Sequence, residues 1–361
     1  LGFDEAAGNF QADNCGRGGI GGDALIVEVQ NGGDLGYGHG NTAWYTGWGD
    51  GSMGKVQVTV FGRSTPHRCG ALDAQLLVHE MTHGVSSRLI GNGFGLTTAP
   101  SRGLAEGWSD FVALSLLSEA SDPADGCYPI GTYAGAYDDE PLYYGIRRFP
   151  YSTDMTKAPQ TLADVDPNQI GFSPEVPRNP SFGSEDADDL YNIGEIWCLA
   201  LWECRANLVE RYGFAGNELM LRLVVDGMKL CPTDPTFTEA RDALLQADLV
   251  NHAGANQVAL WEGFAKRGLG YSSGVPGGAT TVGVVERFDL PFLLDTFITE
   301  VGGDEDGYVE PGESGEWIVM LGSHEMSVSN VSASLFVVSS NVTAAVTNAV
   351  LADIPAGSVS T

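Results

Sequence analysis

The sequence lacks any run of eighteen or more apolar residues, so no membrane-spanning helix is predicted. Basic side chains are few: 18 Lys and Arg stand against 47 Asp and Glu, a net charge of −29, which argues against binding to nucleic acid or to an anionic membrane. The start, LGFDEAAGNF, lacks the basic and apolar regions of a signal peptide, and we expect any export signal to have been removed. Among the six cysteines there is no C-x-x-C pair, which disfavours a cysteine zinc site but leaves disulfides open.

The 361 residues predict one large or two unequal domains. Residues 1–70 are rich in Gly and aromatics, and we expect sheet and loop there, with strands at ALIVEVQ and KVQVTVFG. Asp73 is in the position of an N-cap, and after it the apolar residues recur at helical spacing. Residues 120–187 are expected to be long loops. Further helices are predicted over 104–120, 190–213, 216–230, 236–250 and 256–268.

A change of composition marks the end of the first domain. We predict that it spans 1–272 and that a linker rich in Gly, Ser and Pro follows over 273–282. Residues 283–361 are expected to form a small all-β module with strands at GEWIVMLG and ASLFVVSS. Its length is short of the roughly 100 residues of a full sandwich, so the module is expected to be incomplete.

The segment LLVHEMTHGVSSRL carries the clearest chemical signal. His79 and His83 are four residues apart, so on a helix their side chains project from one face and can bind a single ion. A catalytic zinc needs a third protein ligand, and Glu106, in GLAEGWSDF, is the best candidate. Asp110 follows four residues later, where it can accept a hydrogen bond from the other ring nitrogen of His79.

Glu80 lies beside the first histidine, where it can take a proton from water at the zinc. An isolated H-E-x-x-H also occurs by chance on helices, and Asp110 taken alone is compatible with a helix-surface salt bridge. The E-x-x-x-D pair downstream favours zinc over coincidence.

The segments HEMTHGVSSRL and GLAEGWSDF resemble the zinc helix and the third-ligand helix of the fungalysin family of secreted metalloendopeptidases. Other segments resemble that family in the same order, among them GFDEAAGNFQ, GIRRFPYSTDM, GEIW, LVVDGMKL, ARDALLQAD and WEGFAKRGLG, so the resemblance covers about residues 2–271. It implies an α+β, two-lobed fold like that of thermolysin, with a β-rich N-terminal part and a mainly helical C-terminal lobe.

The resemblance also implies an extracellular zinc endopeptidase, made as a precursor, that hydrolyses protein or peptide substrates. It assigns zinc to His79, His83 and Glu106, and the role of general base and acid to Glu80. Arg147 matches a position that binds the substrate backbone carbonyl; the neighbouring Arg148 is the rival for that role, and an ordinary surface arginine is the alternative.

Two features depart from the family pattern. Tyr191 stands where the family typically has an oxyanion-stabilising histidine; the phenol is either a replacement donor or a helix-packing aromatic. The family's catalytic domain usually begins upstream of GFDEAAGNFQ, so we expect a missing N-terminal segment, either cleaved off or retained as a partner, like the propeptide.

GNTAWYTGW weakly resembles the edge along which substrate lies, with Asn41 and Ala43 as backbone contacts; a glycine-rich loop is the alternative.

An acidic segment, GGDEDGYVEPGE, is a second candidate cation site. It brings together Asp304, Asp306, Glu310 and Glu313, and carboxylate oxygens suit calcium, although the spacing is not that of an EF-hand. The alternative is a solvated acidic hairpin.

Two other functions compete with the endopeptidase. A zinc aminopeptidase shares the ligand pattern, but no G-x-M-E-N-like segment is present to hold a free amine. A zinc-retaining, non-catalytic binding protein would explain Tyr191, but it has no need of the general base Glu80.

Overall fold

The computed structural model describes residues 1–33, 40–135, 140–172, 175–181, 187–301, 303–304, 309–323, 332–334, 348–350, 353–354 and 359–360. The architecture is α+β, as predicted. The helices are α1 (Ala74–Leu89), α2 (Ala99–Leu117), α3 (Pro141–Tyr144), α4 (Leu190–Tyr212), α5 (Ala215–Leu230), α6 (Phe237–His252) and α7 (Gln257–Lys266). The strands are β1 (Ile26–Asn31), β2 (Ala43–Thr46), β3 (Lys55–Phe61), β4 (Arg68–Cys69), β5 (Phe292–Glu300), β6 (Gly315–Ser323), β7 (Ser332–Ser334), β8 (Asn348–Val350) and β9 (Val359–Ser360).

The N-terminal sheet is built around β3. β1 pairs with β3 in parallel, and β2 pairs with it antiparallel, so the order is β1-β3-β2, with β4 pairing the end of β3. The side chains of Val56 and Val58 point to the core and are fully buried. Among the described residues no strand pairs with the outer side of β2, so that edge presents unpaired backbone groups.

Helix α1 begins where the sequence predicts. The Asp73 side chain accepts hydrogen bonds from the backbone N–H groups of Gln75 and Leu76, which satisfies two donors that the first helical turn leaves without a partner. The H-E-x-x-H segment therefore lies within a regular, well-capped helix.

Helix α2 begins five residues before the predicted start at Leu104. Thr98 and Ser101 form a capping box, and Pro100 occupies the first turn, where a missing N–H costs nothing. The first turn has no periodic apolar residues, so a prediction based on hydrophobic spacing misses it. The capping box, by contrast, sets the residue at which the helix begins. The helix ends at Leu117, before the predicted end at residue 120.

Helix α4 packs closely against α2 because both helices carry glycine at the crossing. A Cβ atom built on Gly194 lies 2.6 Å from the Glu106 Cβ and 2.9 Å from the Gly107 nitrogen, closer than real contacts. Near the crossing, the rings of Trp108 and Trp197 meet edge to face with centroids 5.7 Å apart. The glycine of the GEIW segment thus lets the start of α4 approach the helix that carries Glu106.

The described part of the segment between α2 and α4 is irregular, as predicted, apart from the single turn of α3 and a short 3-10 helix at Leu162–Val165. Buried arginines tie it to the helices. The Arg267 guanidinium, at the end of α7, donates hydrogen bonds to the backbone carbonyls of Ser152, Ala158 and Gln160. Irregular backbone can lie in the interior here because its carbonyls have such partners.

The chain divides into two compact units, Leu1–Phe288 and Asp289–Thr361. This boundary differs from the predicted linker over 273–282. Gly274 and Val285 form a backbone bridge, and the Val284 side chain is 2% exposed, so these residues belong to the first unit. A Gly- and Pro-rich composition indicates irregular backbone. Whether that backbone packs against a domain depends on residues that are near it in space, which composition does not reveal.

In the second unit, β6 pairs antiparallel with β5 and with β9, and β7 pairs antiparallel with β8. The predicted strand over 315–322 is therefore present as β6, whereas most of the strand predicted over 333–340 lies outside the described residues. The longest pairing, between β5 and β6, runs from the Phe292–Ser323 pair to the Glu300–Gly315 pair.

All six cysteines lie in the described part of the chain, and none forms a disulfide bond with another. Cys198 and Cys204 are buried in α4, whereas Cys15 is exposed. No described helix is both long and apolar enough to cross a lipid bilayer.

Candidate metal centre

Helices α1 and α2 bring three potential ligand atoms together. The His79 Nε2 atom lies 3.0 Å from the His83 Nε2 atom and 3.1 Å from the Glu106 Oε2 atom, and the His83 Nε2 atom lies 3.4 Å from the Glu106 Oε1 atom. His79 is 5% exposed, whereas His83 and Glu106 are partly exposed, so one side of the cluster is accessible.

These separations fit a zinc ion. Donors about 2.0 to 2.1 Å from a tetrahedral ion lie roughly 3.3 Å from one another, close to the three distances observed. Two imidazoles and one carboxylate are also a donor set that catalytic zinc takes, with a fourth position left for water. The residues present therefore fit the metal that the sequence motif indicates.

Asp110 joins the histidine ligand to a buried arginine. The Asp110 Oδ1 atom lies 2.7 Å from the His79 Nδ1 atom and accepts a hydrogen bond of 2.8 Å from the Arg147 Nη2 atom. The Oδ2 atom accepts a hydrogen bond of 2.7 Å from Arg147 Nε and one of 2.5 Å from the Tyr151 hydroxyl. The predicted contact between Asp110 and His79 is present, and a surface salt bridge does not describe this buried carboxylate.

The charges in this network stabilise one another. Burial opposes ionisation of Asp110, but the Arg147 guanidinium and the hydrogen bond to His79 outweigh it and hold the pKa of Asp110 well below its usual range. Burial likewise opposes ionisation of Glu106, yet His83 and His79 hold its pKa well below the ordinary value. Both carboxylates are therefore negatively charged at neutral pH and favour a cation between the ligand atoms.

A cavity of about 360 Å³ opens beside the ligand cluster, within the size range of ligand sites. Its polar lining includes Glu80, Arg147 and Tyr191, and its apolar lining includes Phe61, Leu76 and Ile146. Sequence reasoning missed the apolar wall, because its members come from a strand, a helix and a loop and share no local pattern.

Tyr191 lies in the first turn of α4, which begins after the Asp189 cap. Its side chain is 50% exposed, and the Arg147 guanidinium lies 5.2 Å from the centre of its ring. Burial, together with the nearby Glu106 and Glu80 carboxylates, raises the pKa of Tyr191, so its hydroxyl remains protonated at neutral pH.

Arg148, the rival of Arg147, is engaged elsewhere. Its Nε atom donates to Glu195 Oε2 at 2.8 Å, its backbone N–H donates to Glu195 Oε1 at 2.7 Å, and its Nη2 atom donates to the Asn192 carbonyl. Both residues line the cavity. The partnership of Arg148 with Glu195 was not foreseen from the sequence, since no spacing rule connects a loop residue to a helix residue 47 positions away.

Asn41 and Ala43 both line the cavity. Ala43 is the first residue of β2 and pairs with Val58 of β3, so it lies on the strand whose outer edge is unpaired among the described residues. Asn41 has a left-handed backbone with a φ of 64°, and its side-chain oxygen accepts hydrogen bonds from the N–H groups of Gly62 and Arg63. The side chain of Asn41 therefore holds the neighbouring loop, and its backbone N–H donates to the Val60 carbonyl, so a substrate contact of the Asn41 backbone stays a prediction.

The second candidate cation site differs from the predicted one. Carboxylate oxygens of Glu300, Asp304 and Glu313 lie within 4.8 Å of one another, and Glu300 was not among the predicted ligands. Glu310 contributes its backbone N–H to Glu313 instead of a carboxylate to the group, and Asp306 lies outside the described residues. Calcium binding by this segment stays a prediction.

The sequence is similar to known proteins. A family model described as fungalysin metallopeptidase (M36) matches residues 1–273. The chain is 37% identical over 308 residues to extracellular metalloproteinase 4 of Arthroderma otae, an alignment that covers 77% of this chain and 43% of that protein. It is 36% identical over 288 residues to extracellular metalloproteinase MEP of Pyricularia oryzae, covering 75% of this chain and 41% of that protein.

A third relative, extracellular metalloproteinase mep of Aspergillus terreus, is 35% identical over 308 residues, covering 81% of this chain and 43% of that protein. The chain thus spans less than half the length of these curated relatives. The family match extends over most of the chain and includes the H-E-x-x-H helix, the Glu106 helix and the Arg147 segment. The chain belongs to the fungalysin metallopeptidase family.

Proposed function

We propose that this chain is the catalytic part of an extracellular zinc endopeptidase, with His79, His83 and Glu106 as the metal ligands. The observation that carries the proposal is the set of three donor atoms, 3.0 to 3.4 Å apart, at the side of a cavity that also contains Glu80 and Arg147. Family membership and the extracellular relatives support both the activity and the location.

Zinc held by His79, His83 and Glu106 would supply Lewis acidity, which can make water nucleophilic at neutral pH and polarise a carbonyl. Glu80 follows the first ligand on α1 and lines the cavity, so its carboxylate takes the proton of the attacking water and delivers it to the leaving amine. Asp110 holds His79 in the tautomer that offers Nε2 to the metal.

The substrate is an extended peptide. The edge of β2 at Ala43, unpaired among the described residues, suits addition of a peptide strand. Arg147 lines the cavity, and because its Nε and Nη2 atoms bind Asp110, its Nη1 atom is the donor proposed for a substrate backbone carbonyl. The apolar wall formed by Phe61, Leu76 and Ile146 suits an apolar side chain next to the scissile bond. We also propose the two-lobed layout of thermolysin for residues 1–288 and a precursor that is processed to the active form.

The strands of residues 289–361 support an all-β appendage, for which Glu300, Asp304 and Glu313 are the proposed calcium ligands. Calorimetric titration of the chain with calcium tests this assignment, and an absence of binding heat would reject it.

The competing functions have less support. An aminopeptidase needs a free carboxylate to hold the substrate amine, but Glu195 in the cavity lining is paired with Arg148, and Asp189 caps α4. A non-catalytic binding protein has no use for Glu80, which lines the cavity.

Removal of zinc is expected to lower the hydrolysis of casein at least about 100-fold, because the metal supplies several kcal/mol of transition-state stabilisation. The protein is treated with 1,10-phenanthroline, dialysed, assayed, and assayed again after zinc is added back. Mass spectrometry of the fragments distinguishes internal cleavage from release of N-terminal residues. Hydrolysis that survives metal removal, or single-residue release only, would contradict the proposal.

Replacing Tyr191 with phenylalanine is expected to lower kcat about 100-fold with little change in KM, because the hydroxyl donates a hydrogen bond to the oxyanion that develops in the transition state. Tyr191→His, which supplies a donor of the family type, is expected to retain activity. Steady-state kinetics on a fluorogenic peptide measure both variants. If Tyr191→Phe matches the wild type, Tyr191 serves only as a packing aromatic.

A further inference from the structure

The Asp110 carboxylate uses both oxygens fully. His79 and Arg147 occupy Oδ1, while Arg147 and the Tyr151 hydroxyl occupy Oδ2. Three of these four hydrogen bonds come from groups with direct parts in the proposed chemistry. The fourth comes from Tyr151, which has no role in the mechanism described above.

Tyr151 is held in position by contacts other than its hydrogen bond to Asp110. Its ring is 1% exposed, and its backbone exchanges two hydrogen bonds with Tyr128, of 2.9 and 3.1 Å. Tyr128 in turn packs its ring against Trp202 of α4, with centroids 5.1 Å apart. The hydroxyl is therefore presented from a buried, hydrogen-bonded segment, and Tyr151 is not part of the cavity lining.

We propose that Tyr151 is a positioning residue: its hydroxyl holds the Asp110 carboxylate in one orientation, and Asp110 in turn orients the zinc ligand His79 and the substrate-binding Arg147. This inference rests on the proposed zinc peptidase function. A carboxylate that bridges two groups has to be held about its own bond axis, and a second donor on Oδ2, which comes from a third residue, supplies that restraint.

The chemistry of a phenol suits this position. A neutral phenol donates one hydrogen bond and adds no charge to the site, so it leaves the ion pair between Asp110 and Arg147 in place. Burial and the neighbouring Asp110 raise the pKa of Tyr151 well above its ordinary value, which keeps the hydroxyl a donor at every working pH.

The test is Tyr151→Phe, which retains the ring and removes one oxygen. Zinc is expected to leave this variant about 10-fold faster than the wild type when a chelator captures it, at the low end of effects for residues that support a metal ligand indirectly. The cobalt-loaded variant is expected to show shifted visible absorption bands, because the orientation of His79 changes. A purely structural role would lower the thermal midpoint and leave both metal readouts unchanged.

Tyr212→Phe is the matched control. It removes a phenolic hydrogen bond of 2.8 Å to Asn256, away from the metal centre, and is expected to leave zinc release and the cobalt spectrum unchanged. In an Asp110→Asn background, Tyr151→Phe is expected to add little further zinc loss, because the two residues act through one contact.

The outcomes separate the two proposals. Wild-type protein that takes up no zinc would overturn the proposed function itself. Wild-type protein that binds zinc, with Tyr151→Phe identical to it in zinc release and cobalt spectrum, would overturn the role of Tyr151 alone.

Discussion

Replacing Glu80 with glutamine is expected to lower the rate of peptide hydrolysis about 100- to 10,000-fold, the range for loss of a general base and acid. Glutamine has nearly the same shape but cannot accept a proton from water. Because Glu80 lines the cavity and is not one of the three grouped ligands, the variant is expected to keep its zinc and its fold.

Activity on casein, zinc content by atomic absorption and circular dichroism together test this expectation. Glu119→Gln, an exposed glutamate beyond the end of α2, is the matched control and should behave as wild type. A Glu80→Gln variant that hydrolyses casein at the wild-type rate would remove Glu80 from the mechanism. Loss of zinc from this variant would mean that Glu80 supports the metal.

Replacing Arg267 with methionine is expected to lower the free energy of unfolding of the first unit by about 3 to 5 kcal/mol, the range for breaking a buried ion pair. Arg267 is fully buried, and its Nε and Nη2 atoms lie 3.0 and 2.6 Å from Glu203 Oε1. Among the described residues the variant leaves the buried Glu203 with Lys266 as its charged partner, and the carbonyls that Arg267 had bound lose this donor. The loop that leads to Arg147 and Tyr151 would loosen as a result.

Urea unfolding at saturating zinc, followed by tryptophan fluorescence, measures the change. Arg222→Met is the control: its pair with Glu218 is of similar length, 2.6 Å, but both side chains are more than half exposed, at 57% and 63%, and it should cost less than about 1 kcal/mol. Adding Glu203→Leu to Arg267→Met should recover part of the loss. A cost for Arg267→Met as small as that of the control would show that this pair does not hold the loop.

Local patterns were sufficient for much of the fold. Strand β3 and helices α1 and α4 to α7 follow apolar periods and caps, and the predicted spans agree with the observed ones to within about two residues. The start of α2 was predicted less accurately, because a capping box leaves no trace in apolar spacing.

The sequence by itself determined the spacing of the candidate ligands and of the candidate general base. His79, Glu80 and His83 share one helix, and Glu106 and Asp110 share another, so helical geometry alone decides which side chains can act together. The tertiary structure decided how the two helices meet: Gly107 and Gly194 permit the close crossing that brings α4 and Tyr191 to the same cavity.

Only the tertiary structure decided the surroundings of Asp110. Arg147 and Tyr151 lie in an irregular segment whose backbone follows no period, so their positions depend on long-range partners such as Arg267 and Tyr128. Loop conformations that leave buried polar groups without such partners are higher in free energy. The loop therefore adopts the conformation in which these groups are hydrogen-bonded, although its local sequence is compatible with many others. Contacts between positions far apart in the chain thus place Arg147 and Tyr151 around Asp110, whereas local periodicity places the candidate zinc ligands.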